Sequence, residues 1–126
     1  METLNLGQVG EEYVAQQYRS RGFKIVGRNI NLTAYKQLGE IDIVALKNKN
    51  LVFIEVKTRT SHEFMDPEES VGFRTQSRLL KAVKAYLNMY PKYSNFNAQI
   101  DVAIVVAGLD GKIKNATLLS DVIQDS

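Results

Sequence analysis

The sequence predicts an α/β domain in which a mixed central β-sheet carries a helix on either side. Three observations lead to this fold class: two segments with apolar residues at helical spacing, two adjacent runs of alternating residues, and a nearly continuous apolar run at 99–107. A continuous apolar run is typical of a strand in the middle of a sheet that is covered on both faces. The 126 residues can build one core but not two, so we expect a single domain over residues 1–126.

The first helix is predicted over residues 4–21. Its apolar stripe includes Val14 and Tyr18 at helical spacing. Glycine costs about 1 kcal/mol inside a helix. Gly7 and Gly10 therefore indicate either a frayed helix start or the close approach of another element to this face.

Three strands are predicted next, the first over residues 23–30 and the other two as a β-hairpin within 38–59. The hairpin follows from two alternating runs that flank the polar residues 47–50. A turn at that position places Val44 opposite Phe53 on one apolar face of the strand pair.

Counting outward from the turn, Asp42 then faces Glu55, and Glu40 faces Lys57. Directly opposed residues of an antiparallel pair have Cβ atoms about 4.5–5.5 Å apart. These charged side chains would therefore converge at the open end of the hairpin, where we expect the chemistry. The alternative is a salt-bridged sheet face, in which a Glu40–Lys57 pair would have little energetic weight.

The second helix is predicted over residues 74–90, after a start signal of one Asp, one Pro and two Glu at 66–69. Its cationic side chains fall opposite its apolar stripe, and no acid in this stretch pairs with them. They are Arg74, Arg78, Lys81 and Lys84. This pattern favours a phosphate-contacting stripe, and the alternative is an ordinary solvated face.

The chain closes with two predicted strands. Residues 99–107 form the apolar strand, and a weaker final strand is predicted near 112–118. Asp101 is an acid within the apolar strand, so we expect it to have a structural partner.

Composition limits the kinds of site that the protein can contain. The sequence has no cysteine, which excludes disulfides and thiolate metal sites. It has one histidine, His62. Any metal would be held by oxygen, which indicates magnesium, manganese or calcium. No signal peptide or long apolar run is visible, so we expect a cytoplasmic protein without a membrane partner. The net charge of +2 is too small to identify a nucleic-acid partner.

The carboxylates at the hairpin end match the needs of phosphodiester hydrolysis. Magnesium is typically held by one or two carboxylates together with waters and a substrate oxygen. Asp42 and Glu55 in cross-strand register meet that requirement, and Lys57 can reach the same phosphate or position the attacking water. Glu40 or Glu11 could supply an outer ligand or accept a proton.

Four short motifs resemble the YraN-like family. They are G-x-x-G-E at 7–11, R-N at 28–29, G-E-I-D at 39–42 and F-I-E-V-K-T-R at 53–59. The family comprises small bacterial proteins with a restriction-endonuclease-like fold, similar to archaeal Holliday-junction resolvases. The resemblance extends over nearly the whole chain, and its order of a helix, three strands, a helix and a strand matches as well.

The resemblance implies a metal-dependent nuclease core of the D…E-x-K type. Asp42, Glu55 and Lys57 would form that motif. Asp42 and Glu55 would bind the metal, and Glu11 would be a further acid. Glu40 is a candidate for an outer ligand or a proton acceptor. The resulting hypothesis is a Mg²⁺- or Mn²⁺-dependent deoxyribonuclease that acts on branched or structured DNA. Its phosphate contacts would come from Arg59, Arg74, Arg78, Lys81 and Lys84.

Two other functions remain open at this point. A non-catalytic DNA-binding or scaffold module on the same fold would bind DNA in a salt-sensitive way without cleaving it. A protein-interaction domain would have no affinity for DNA. Nuclease folds of this kind often form homodimers, and nothing in the sequence decides whether this chain does.

Overall fold

The computed structural model describes residues 5–32, 39–60 and 71–123. Two α-helices and five β-strands account for most of these residues. The helices are α1 (Leu6–Ser20) and α2 (Phe73–Met89), and the strands are β1 (Lys24–Asn31), β2 (Glu40–Lys47), β3 (Asn50–Thr60), β4 (Asn97–Ala107) and β5 (Ile113–Leu119). The predicted order α-β-β-β-α-β is confirmed, and β5 is the weaker final strand.

The strands form one mixed sheet in the order β1-β2-β3-β4-β5. The first three strands are a meander of antiparallel neighbours, β3 and β4 are parallel, and β5 returns antiparallel to β4. Parallel neighbours require a long crossover connection. That connection contains α2, which the chain therefore places on one face of the sheet. The predicted fold class is confirmed.

The two faces of the sheet carry separate hydrophobic clusters. On one face, Val14, Ala15 and Tyr18 of α1 pack on residues of the central strands such as Ile43 and Ile54. The other face packs against α2, and its buried residues include Val44, Phe53, Leu79, Val83, Tyr86 and Ile100. Full burial of one such side chain stabilises the fold by about 1.5–3 kcal/mol. The two clusters therefore hold both helices on the sheet.

The hairpin register agrees with the count from the turn. Val44 pairs with Phe53 and Leu46 with Leu51, as predicted. The turn is closed by Asn48, whose φ of 56° lies in the left-handed region that asparagine tolerates better than most residues.

The helix ends differ in detail from the prediction. Asn5 caps α1, and its side-chain Oδ1 accepts a hydrogen bond from the Gln8 N–H at 3.1 Å. The predicted start signal at 66–69 and His62 both lie outside the described residues. A short 3₁₀ turn, Pro91–Tyr93, follows α2, and β4 begins at Asn97, two residues earlier than expected.

Asp101 has the partners that a buried acid requires. It is 1% exposed and accepts hydrogen bonds from the Tyr18 hydroxyl, from Gln99 Nε2 at 2.8 Å and from the Asp121 N–H at 2.9 Å. These bonds join α1, β4 and the segment after β5.

Neither of the described helices has the length and apolar character needed to cross a bilayer.

Candidate functional site

The candidate site lies where β2 and β3 stop pairing. Their ladder ends at Ile43–Ile54, one rung short of the predicted Asp42–Glu55 pair. The Asp42 carboxylate instead accepts a hydrogen bond from the Val56 N–H at 2.8 Å. A side-chain oxygen thus takes the place of a strand carbonyl, so the predicted direct opposition of Asp42 and Glu55 is replaced by a side-chain bridge between the strands.

The alternation of side chains along β2 breaks at the same residue. Ile41 and Ile43 are two positions apart, yet Ile41 packs in the cluster under α2 and Ile43 in the cluster under α1. In β1, the residue between their two pairing partners is Asn29, whose φ of 50° is left-handed. Both strands are therefore rotated locally, and the rotation allows the Asp42 carboxylate to point along the sheet towards β3.

Glu55 makes the shortest ion pair described at the site. Arg78 Nη2, from α2, donates to both carboxylate oxygens at 2.7 Å each. Lys57 Nζ lies 3.7 Å from the same carboxylate. The Glu55 side chain is only 12% exposed, whereas that of Arg78 is 39% exposed. The Glu55 oxygens are thus engaged by a cation that was predicted to contact phosphate.

The Asp42 carboxyl has a raised pKa. Burial is the largest cause, and together with like-charge repulsion from Glu11, Glu55 and Glu40 it raises the pKa to about 6. The hydrogen bond from the Val56 N–H acts in the opposite direction and lowers the pKa. The neighbouring carboxylates are therefore close enough to disfavour the charged form of Asp42, a condition that a bound cation would relieve.

Glu11 approaches the site from α1. Its side chain is 17% exposed, and its Oε1 is buried without a hydrogen-bond partner among the described residues. Among the described residues the nearest cation is Arg28, with Nη2 at 3.9 Å from that oxygen. Arg28 also pairs with Glu12 at 3.0 Å, while its Nε is buried and unpartnered within the same described part of the chain. The α1 side of the site thus carries polar atoms that the described chain does not satisfy.

A glycine allows α1 to come this close. Gly10 is buried, and a Cβ at that position would overlap the Thr58 hydroxyl of β3. Of the two alternatives that the glycines indicated, the close approach of another element is therefore the one found at Gly10. The next residue, Glu11, is carried to the sheet with it.

The other predicted residues lie at varying distances from this cluster. Glu40 is exposed at the start of β2, where it pairs with Asn31 of β1 and not with Lys57. Arg59 is half-buried on β3, and its Nη1 donates to the Thr58 carbonyl at 3.1 Å. The exposed cations of α2 do not join the carboxylates; they are Arg74, Lys81 and Lys84.

Sequence reasoning missed two groups of the site. Arg28 was quoted only as part of a motif, and the Val56 N–H has no side-chain signature. The left-handed Asn29 is the signal that could have indicated a twist beside Arg28, since asparagine is among the residues that tolerate this conformation.

The donor set limits how a metal could be held. The described residues contain no group of three or more Asp, Glu, His or Cys side chains arranged around a metal position. A Mg²⁺ ion needs only one or two carboxylates when waters and a substrate oxygen complete its shell. The oxygens of Asp42 and Glu55 would meet that smaller requirement once Arg78 leaves Glu55, with the unsatisfied Glu11 Oε1 as a further acceptor on the α1 side of the described chain.

Comparison with known proteins assigns the chain to a family. A family model described as "Uncharacterised protein family UPF0102" matches residues 10–105, a span that includes Glu11, Asp42, Glu55 and Lys57. The UPF0102 protein of Syntrophomonas wolfei is 44% identical over 109 residues, which cover 86% of this chain and 90% of that protein.

Two further relatives match over most of their length. The UPF0102 protein of Clostridium perfringens is 35% identical and covers 93% of this chain and 92% of its own. The UPF0102 protein of Dictyoglomus turgidum is 33% identical, with 91% of this chain and 93% of its own covered. The chain therefore belongs to the UPF0102 family, which is the YraN family that its motifs resemble.

Proposed function

We propose that this protein is a deoxyribonuclease that uses Mg²⁺ or Mn²⁺ to hydrolyse phosphodiester bonds in branched or structured DNA. The observation that carries the proposal is the convergence of Asp42 and Glu55 where the β2–β3 ladder ends, with Lys57 beside them. Two partly buried carboxylates and an adjacent ammonium are the groups that this reaction requires.

Asp42 and Glu55 would hold the metal, which when bound would offset charge on the phosphate and lower the pKa of a coordinated water. Lys57 would orient that phosphate or the attacking water. Glu11 is the better candidate for the additional acid, since it is less exposed than Glu40 and has an unsatisfied oxygen among the described residues.

Arg78 would exchange partners when DNA binds. A guanidinium pairs with carboxylate or phosphate in similar geometry. Arg78 could therefore leave Glu55 for a DNA phosphate, which would free the Glu55 oxygens for the metal. The exposed Lys81 and Lys84 would contact phosphates further along α2, and such contacts set affinity and salt dependence without reading sequence.

The Arg78–Glu55 ion pair also supports a second candidate, a non-catalytic nucleic-acid-binding or scaffold module on the same fold. In that protein the ion pair would be permanent and would serve to join α2 to β3. DNA would then bind through the exposed cations alone.

The decisive experiment is cleavage of labelled four-way junction, flap, single-stranded and duplex DNA with Mg²⁺ or Mn²⁺. Wild type would be compared with Glu55→Gln, which keeps the shape of the side chain and removes its charge, and with Asp110→Asn, which makes the same kind of change at an exposed position of the β4–β5 turn. We expect cleavage by wild type and by Asp110→Asn, and its loss in Glu55→Gln. Salt-sensitive binding without cleavage by any of the three would overturn the nuclease and support the binding module.

A further inference from the structure

The acidic residues are confined to a few parts of the chain. The sequence has no Asp or Glu within residues 13–39, 43–54 or 70–100, although these three stretches contain most of the Lys and Arg residues. In the structure, Glu11, Asp42 and Glu55 gather where β2 and β3 stop pairing. The hairpin turn at the other end of this ladder, and the starts of β1 and β4 beside it, come from the acid-free stretches, whereas Asp101 and Asp121 lie beside Ile100, further along β4.

The hairpin turn brings three lysines from different elements to that opposite end. Lys24 begins β1 and pairs with Leu46 near the end of β2. Lys49 lies in the turn, and its carbonyl accepts the Asn97 N–H at 2.8 Å, which joins the turn to the start of β4. Lys92 lies in the 3₁₀ turn after α2. We call Lys24, Lys49 and Lys92 together the hairpin-end surface.

An open cavity of ≈ 580 Å³ lies between two of these lysines. Lys24 and Lys92 contribute its charged lining, and the remainder is formed by Ile25, Val26, Leu46, Tyr93 and Phe96. Two ammonium groups lie over aromatic rings, Lys92 Nζ at 5.2 Å from the centre of Tyr93 and Lys49 Nζ at 5.2 Å from that of Phe96. Cation–π contacts of this kind hold the charge at the protein surface without neutralising it.

No carboxylate of the described chain forms an ion pair with the hairpin-end lysines. Isolated exposed lysines usually have an acid nearby, because surfaces carry both signs of charge. A group of like charges without such compensation produces a positive potential that attracts polyanions.

We propose that the hairpin-end surface is a second nucleic-acid contact, which binds backbone phosphates at a distance from the carboxylate site. The inference rests on the proposed function only in naming DNA as the polyanion. Glu55 lies five positions after Asn50 in β3, a span of roughly 17 Å at strand rise, which equals about five base pairs of duplex. A DNA segment of that length would reach both ends.

Helix α2 connects the two surfaces. Its first turns carry Arg78 to Glu55, and its C-terminal end leads into the 3₁₀ turn that holds Lys92. Lys81 and Lys84 are exposed between them. Arg78, Lys81, Lys84 and Lys92 thus follow one another along α2 and the turn after it, and this extended series of cations favours an extended polyanion such as DNA over a flat anionic membrane.

The test is equilibrium binding of fluorescent 20-base-pair duplex and four-way junction DNA in EDTA, measured by anisotropy over a range of salt concentrations. The variant is the double change Lys24→Gln with Lys92→Gln. The matched control is Lys112→Gln with Lys114→Gln, which removes the same charge from two exposed lysines beside the β4–β5 turn. Circular dichroism and urea unfolding would verify that both variants fold.

We expect the Lys24/Lys92 variant to lose roughly tenfold or more in affinity at 0.1 M salt, and its slope of log affinity against log salt to become shallower by roughly 2. The control should bind like wild type. Equal losses of affinity in both variants would overturn the proposal, because only the net charge of the protein would then matter. No loss in either variant would overturn it as well, because these lysines would then not contact DNA. Binding of anionic phospholipid vesicles through Lys24 and Lys92 without binding of DNA would overturn it as well.

This outcome is separate from that of the nuclease test, since no metal is present and no bond is cleaved. A protein that never cleaves DNA but loses affinity in the Lys24/Lys92 variant would retain the hairpin-end surface and lose the nuclease. A protein whose cleavage depends on Glu55 but whose DNA affinity is unchanged in the Lys24/Lys92 variant would retain the nuclease and lose the hairpin-end surface.

Discussion

Arg78 Nη2 lies 2.7 Å from both carboxylate oxygens of Glu55, so a guanidinium of α2 is paired with a carboxylate of β3 at the centre of the candidate site. The pair joins α2 to β3 across the sheet surface. It also sets a condition on any metal at this site, because a metal and a guanidinium would compete for the same two oxygens.

The first prediction follows from that competition. Arg78→Gln should bind Mn²⁺ more tightly than wild type in the absence of DNA, because the metal no longer displaces a cation. The gain should be about fivefold or less, since a partly exposed ion pair contributes at most about 1 kcal/mol. Titration by electron paramagnetic resonance would measure it.

Lys81→Gln is the control for this measurement, as it removes one charge from the same helix without a contact to Glu55. Weaker Mn²⁺ binding by Arg78→Gln than by Lys81→Gln would show that Arg78 helps to form the metal site and does not compete for it.

The second prediction concerns the stability of the metal-free protein and rests on the Asp42 carboxyl, whose folded-state pKa is raised to about 6 from the ordinary value of 3.8. Between these pH values the folded state binds more protons than the unfolded state. The stabilising effect of protonated Asp42 is therefore complete below about pH 4 and is lost as the pH rises through about 6.

Urea unfolding in EDTA at several pH values would test it. The free energy of unfolding of wild type should fall relative to that of Asp42→Asn as the pH rises from about 4 to about 6. Asp121→Asn serves as the control for the loss of a carboxylate at an exposed position. A constant difference between wild type and Asp42→Asn over this range would contradict the raised pKa.

The third prediction concerns the contact between α1 and β3. Gly10→Ala should lower the free energy of unfolding by about 1–3 kcal/mol, because its Cβ would overlap the Thr58 hydroxyl and push the helix outward. Thr58→Ala alone should cost little, since its Oγ1 is buried without a partner among the described residues.

Combining Gly10→Ala with Thr58→Ala should recover part of the loss, which a double-mutant cycle would detect as a coupling of about 0.5 kcal/mol or more. Gly7→Ala, at an exposed position of the same helix, controls for the effect of a glycine-to-alanine change on the helix alone. Strict additivity of the two substitutions would show that the helix does not contact β3 at this point.

The local elements were predictable because each depends on residues that are near in sequence. Alternation identified β2 and β3, helical spacing identified α1 and α2, and a nearly continuous apolar run identified β4. The count from the turn gave the correct pairing of Val44 with Phe53, because a short hairpin turn leaves little freedom in register.

The arrangement around Asp42 was not predictable by the same count. The alternation rule assumes a regular strand, and the rotation at Asn29 and Asp42 breaks it, so that Asp42 bonds to the Val56 N–H and does not stand opposite Glu55. A break of this kind depends on two neighbouring strands together.

The sequence by itself determined the family, the order of the elements, the hairpin register and the residue types available for chemistry, because periodicity and short motifs are local properties. Only the tertiary structure decided that Arg78 pairs with Glu55 and that Arg28 lies 3.9 Å from Glu11. It also decided that Lys24, Lys49 and Lys92 meet in the hairpin-end surface. These contacts join residues far apart in the chain. Their geometry follows from how the helices pack on the sheet, which no local pattern encodes.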